Sequence, residues 1–102
     1  MNQINQNQMS EEYILSKLAD FNLDISSVDG FELSQFLDLA MDIKKEDYDK
    51  GVEYVITRRN LENVDPFGKF KYFCGYLQKI KKVYRLQDKL KNQYQNGKSY
   101  NK

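Results

Sequence analysis

Residues 65–91 read DPFGKFKYFCGYLQKIKKVYRLQDKLK, and the fold of the whole chain turns on this stretch. Asp65 offers a carboxylate to cap a helix. Pro66 follows with a fixed φ and no N–H to satisfy, which suits the first helical position. Phe70, Phe73, Leu77, Ile80 and Tyr84 then recur at spacings of 3, 4, 3 and 4, the seam of a helix packed along one side. At about 100° per residue, with Phe70 as zero, the apolar arc also takes in Cys74 and Tyr76. Gln78, Lys71, Lys89 and Lys82 fall between about 80° and 120°, with Arg85 at about 60° and Lys79 at about 180°, so these side chains form one cationic stripe. After Tyr84 the seam shifts to Leu86, Leu90 and Tyr94, and Asn96, Gly97 and Lys98 are expected to end the helix in a polar tail.

Upstream of this helix the pattern predicts three more. Met1 to Met9 is mostly Asn and Gln and reads as a frayed tail, because so little apolar surface cannot offset the entropy of ordering. Ser10 followed by Glu11 and Glu12 is a helix start, and Ile14, Leu15, Leu18 and Phe21 carry that helix to about Phe21. The segment NLDISSVDG, residues 22–30, holds cap and turn residues. A second helix, from Phe31 to about Ile43, places Leu33, Phe36, Leu37, Ala40 and Met41 on one face. Lys44 to Asp47 reads as a charged break. Tyr48, Val52, Val55, Ile56 and Leu61 then suggest a third helix that ends before Pro66, with a strand through Val55, Ile56 and Thr57 as the alternative. Gly51 weakens its start by roughly 1 kcal/mol relative to alanine. The expected architecture is a single all-α domain over residues 10–95, a small bundle of about four helices with a long basic C-terminal helix, and tails at 1–9 and 96–102.

Composition narrows the functions open to such a bundle. With 102 residues, 40% apolar and 30% charged, the chain has room for one core. No apolar run approaches the roughly 18 residues of a membrane span, which predicts a cytoplasmic protein without membrane contact. The single cysteine, Cys74, cannot pair internally, and the absence of histidine removes the commonest acid/base catalyst and metal ligand. Asp20, Asn22 and Asp24 imitate the first half of a calcium loop, but Ile25 stands where glycine is required and Phe31 where a bidentate acid is required. Asp38, Asp42 and Glu46 recur one turn apart and read as a solvated acidic face. The expectation is a non-catalytic protein with no cofactor and no metal.

The net charge of +1 conceals a division. Residues 1–50 hold eleven acids against four lysines, a balance of −7, and residues 51–102 hold four acids against twelve lysines and arginines, a balance of +8. Screening confines each field to about 10 Å, so one end attracts polyanions whatever the total. In the basic half, Phe67, Phe70, Tyr72, Phe73, Tyr76 and Tyr84 are interleaved with Lys69, Lys71, Lys79, Lys81, Lys82, Arg85, Lys89 and Lys91. Cationic groups replace the counterions of a phosphate backbone, and aromatic faces stack unpaired bases for roughly 1 to 3 kcal/mol each. The combination points to single-stranded DNA. Tyr72, at about 200° on the wheel, borders both seam and stripe and is the leading stacking residue, with Tyr76 behind it. Arg58 and Arg59 extend the patch or pair with acids of the first half.

The segment from Phe70 to Ile80, FKYFCGYLQKI, resembles the last helix of DnaD-like replication initiation domains, whose motif is Tyr, three residues, Ile, three residues, Trp. Tyr72 matches the first anchor, Tyr76 stands in place of the isoleucine and Ile80 in place of the tryptophan. With the apolar helix of Val52, Val55 and Ile56 before it, the similarity spans residues 31–90. It implies a helical domain that binds DNA through the motif helix and helps load the replication machinery. In overall character the chain is also similar to small accessory proteins encoded beside replication enzymes on Gram-positive mobile elements, including the partner that confers priming on a family-A polymerase. These resemblances imply a DNA replication accessory protein that holds a polymerase, primase or helicase. The alternative is an inhibitor of a host factor or nuclease that uses its acidic N-terminal half. A weak dimer through Leu86, Leu90 and Tyr94 is a further expectation beside a monomer.

Overall fold

The computed structural model describes the backbone of residues 9–100 and the side chains of residues 9–92. Four helices follow in order: α1 (Glu11–Lys17), α2 (Gly30–Met41), α3 (Lys45–Thr57) and α4 (Pro66–Tyr100). Three short 3-10 turns, Leu18–Phe21, Ile25–Ser27 and Arg59–Leu61, make the corners, and the described residues contain no strand. The protein is a small all-α bundle.

The helix starts follow the capping residues. Tyr13 N–H donates to Ser10 Oγ at 3.1 Å and Gly68 N–H to Asp65 Oδ1 at 2.9 Å, each satisfying a first-turn donor that the helix itself leaves unpaired. Asp29 does the same for α2 through Glu32 N–H at 3.3 Å. Four local expectations change. The first helix keeps α geometry only to Lys17 and tightens into a 3-10 turn, which Asn22 ends in the left-handed region at φ 62°, a conformation that asparagine tolerates better than most residues. Lys45, Glu46 and Asp47, expected as a break, form the first turn of α3, where two acids face the positive end of the helix dipole. Val55, Ile56 and Thr57 are helical as expected, but Leu61 is buried in its own 3-10 turn rather than in α3. α4 continues through Asn96, Gly97 and Lys98 to Tyr100.

The tail expected at residues 1–9 is also revised at its inner end, because Met9 is only 5% exposed and packs into the core. Residues 1–8 of that tail, and residues 101–102 of the C-terminal one, lie outside the described residues.

The seam of α4 supplies the centre of the core. Phe73 is fully buried, with its ring centroid 5.3 Å from Phe21, 6.1 Å from Phe36 and 5.1 Å from Tyr48, so one residue touches the first corner, α2 and α3. Edge-on and tilted aromatic contacts of this kind add about 0.5 to 1.5 kcal/mol beyond burial. The Tyr48 hydroxyl, buried among them, donates to the Ile14 carbonyl at 2.7 Å in the middle of α1. Gly51 has a reason that spacing alone does not reveal. A Cβ there would lie 2.9 Å from the rings of both Phe73 and Tyr76, so the glycine is what lets α3 approach α4. Its helix-propensity cost is offset by the packing it permits.

The far end of the seam is clasped by Tyr84, whose hydroxyl donates to Asp47 and accepts from Lys44 N–H at 3.2 Å. Burial, then the Asp47 carboxylate, pushes the Tyr84 phenol up to about 12. Burial pushes the Cys74 thiol up to about 11 and the Tyr48 phenol well above the ordinary range. Each folded-state value lies above the ordinary 9.0 or 10.0, so the native state retains protons that the unfolded chain sheds. Stability is therefore complete below about pH 9 and falls as pH rises through the window up to about 12. Thermal melts between pH 7 and 11 are expected to show a flat midpoint that declines above about 9, and less steeply in Tyr84→Phe. A midpoint that holds or rises above pH 9 would contradict this.

Candidate nucleic-acid interface

Beyond Tyr84, α4 leaves the bundle, and Leu86 and Leu90 are exposed at 52% and 64%. The close approach at Gly51 presses Tyr54, one turn along α3, against the Tyr face of α4. The Tyr54 ring lies 5.2 Å from Tyr76 and 6.4 Å from Tyr72, stacked on the latter at 27°. One turn further along, the Arg58 guanidinium covers the Tyr54 ring at 4.7 Å, held in place by a hydrogen bond from its Nε to Asn60 Oδ1 at 3.1 Å. Arg58, Tyr54 and Tyr72 thus form a continuous layer of flat groups, with Tyr72 at its outer edge, 37% exposed. The Tyr54 hydroxyl beside it holds the Tyr72 phenol above its ordinary value.

On the α4 wheel, Lys69, Tyr72, Tyr76 and Lys79 share the arc between about 180° and 260°, toward α3. Lys79 and Arg59 are exposed and Lys69 is half-buried. This face therefore combines flat rings with Arg58, Lys69 and Lys79 as sources of positive charge.

The single stripe expected from the sequence is corrected by what lies beside it. α2 runs along the 0° to 100° side of α4 and brings two carboxylates with it. Glu32 pairs with Lys71 at 3.7 Å and Asp42 with Lys81 at 2.8 Å. The Lys71 ammonium also sits 5.4 Å from the Phe67 ring. Lys79, Lys82, Arg85 and Lys89 have no carboxylate within 4.0 Å among the described residues. The basic surface is thus two patches. One is aromatic, with Arg58, Lys69, Tyr72, Tyr76 and Lys79. The other is a lysine edge with Lys82, Arg85 and Lys89, to which Lys71 belongs only on leaving Glu32. An exposed pair of that kind is worth at most about 1 kcal/mol, so exchange for a phosphate is cheap.

Between α2 and α4 an open groove has Phe36, Leu39, Phe70 and Cys74 in its lining, with Glu32 and Asp38 contributed by α2 and Lys71 and Lys81 by α4. Its mixed charge gives a polyanion no continuous path. Among the described residues no group of three or more Cys, Asp and Glu side chains is placed to hold a metal ion, and no helix is long and apolar enough to cross a membrane.

Tyr54 is the residue that sequence reading left out. Its signal was present in the four-residue spacing to Arg58, but Tyr54 lies between Val52 and Val55 without belonging to the apolar series that they define. The chain matches no known protein family, no curated protein and no solved structure.

Proposed function

We propose that this protein is a non-catalytic accessory factor of DNA replication that holds single-stranded DNA on the face formed by Tyr54, Arg58, Tyr72 and Tyr76. One observation carries the reading: the layered Arg58, Tyr54 and Tyr72 array, whose outermost ring is open to solvent. A base stacks on Tyr72 as the next member of that layer, and Lys69, Lys79 and Arg59 take the flanking phosphates. Lys82, Arg85 and Lys89 extend the positive field along α4. The resemblance of residues 31–90 to DnaD-like domains supports a replicative setting in the cytoplasm, with a polymerase, primase or helicase as partner and the acidic α2 and α3 surface as the side that docks it.

Fluorescence anisotropy with a labelled oligothymidylate of about 20 nucleotides tests the DNA half of this reading. Affinity is expected to fall with salt at a slope of about −0.7 per phosphate contact, so about −3 for four contacts. No binding at about 50 mM salt would overturn it.

A second reading draws on the exposed carboxylates of Asp38 and Glu46, which have no lysine or arginine within 4.0 Å among the described residues. On that reading the acidic half inhibits a host factor or nuclease, and charge reversal at Asp38 and Glu46 abolishes capture while changes at Tyr72 do nothing.

A further inference from the structure

Gly75 lies well inside α4, and nothing in the chain requires a glycine there. A Cβ built on it meets no atom within 4 Å, whereas one on Gly51 meets ring atoms at 2.9 Å and one on Gly68 meets Val64 at 2.5 Å. Packing explains those two. An interior helical glycine without an internal neighbour costs helix propensity and leaves room for a close approach from outside.

The surroundings of Gly75 indicate what approaches. It sits at about 140° on the α4 wheel, with Lys71 one turn before it, Lys79 one turn after and Lys82 two turns after, all within about 40°. Tyr72 stands on the preceding turn at about 200°. Gly75 also lines the groove between α2 and α4, so the opening over it is continuous with solvent. The result is a stretch of helix backbone without a covering side chain, with Lys71, Lys79 and Lys82 beside it on α4 and the Glu32 and Asp38 carboxylates of α2 on the groove side, so a strand must cross α4 over it rather than follow the groove.

We propose that the sugar–phosphate backbone of the bound strand crosses α4 over Gly75, with its phosphates held by Lys71, Lys79 and Lys82. The crossing rests on the DNA-binding reading and specifies the path of the strand on that surface. A base stacked on Tyr72 sits on one side of the saddle, and the following phosphates descend toward Lys82 and Arg85 on the other. Lys71 turns from Glu32 to the strand, a change permitted by the exposed, 3.7 Å geometry of that pair. A partner helix would also fit against a glycine, but the ammonium groups beside it disfavour any that lacks acids.

The test uses two substitutions in the full chain, Gly75→Ala and Gly75→Leu, each assayed by thermal melting and by oligothymidylate anisotropy. Gly75→Ala is expected to raise the melting midpoint by about 4 to 8 °C, because alanine is the better helix former and its Cβ has room. The same variant is expected to bind about threefold to tenfold more weakly, with a shallower salt slope, and Gly75→Leu more weakly still. A protein that becomes more stable and binds less well is not the outcome of damaged folding. Unchanged binding in both variants overturns the crossing while leaving the parent reading in place, and a lowered melting midpoint in Gly75→Ala overturns it by showing that packing needs the glycine. Wild-type protein that does not bind overturns both.

Discussion

Replacing Phe73 with alanine is expected to remove about 3 to 5 kcal/mol of stability, the range for deleting a large aromatic ring from a packed core. The ring is completely buried and meets Phe21, Phe36 and Tyr48 from three different elements. Neighbouring backbone cannot collapse into the space, because each of those rings is anchored by its own helix or turn. Domains of this size hold about 5 to 15 kcal/mol in total, so the loss is a large share of the whole. Urea denaturation should show the midpoint falling steeply. A loss below about 1.5 kcal/mol would mean that Phe73 is not the residue on which the first corner, α2 and α3 converge. Phe73→Leu, which keeps much of the volume, should cost appreciably less.

The second large effect concerns Tyr72. Truncation to alanine should weaken binding of an oligothymidylate by about fivefold to 150-fold, corresponding to a stacking contribution of about 1 to 3 kcal/mol. Folding should be little affected, because more than a third of the side chain already faces water. Tyr72→Phe keeps the flat face and loses the hydroxyl, so it should bind nearly as well as the parent, which separates stacking from hydrogen bonding. Arg58→Ala should weaken binding too, and combined with Tyr72→Ala its effect should be less than additive. The reason is that Arg58 rests on the Tyr54 ring, which in turn stacks on Tyr72, so both act on the base through one layer. Affinity of Tyr72→Ala within twofold of the parent would remove the aromatic layer from the interface.

Two of the glycines in α3 and α4 show how far local reading extends. Both Gly51 and Gly75 appear in the sequence as flaws in otherwise good helices. In the folded chain, two rings press on Gly51 and Gly75 faces open space. Helix propensity is a property of one residue and its own backbone, and it contains no information about which ring of which other helix will arrive there.

The same division holds for the molecule as a whole. Ser10, and Asp65 with Pro66, declared their helix starts because a cap acts within three residues of itself. Phe70, Phe73 and Leu77 declared the dry side of α4 because burial follows the helical repeat. Those features belonged to the amino-acid order alone. The partition of the basic surface did not, since a wheel gives the direction in which Lys71 and Lys81 leave α4 but not the helix that meets them. Only tertiary packing brought Glu32 and Asp42 to those two lysines and laid Tyr54 against Tyr72. These contacts join positions about 18 to 40 residues apart in the chain, and their geometry depends on how whole helices dock, a choice made by the shape of the core rather than by any short run of residues.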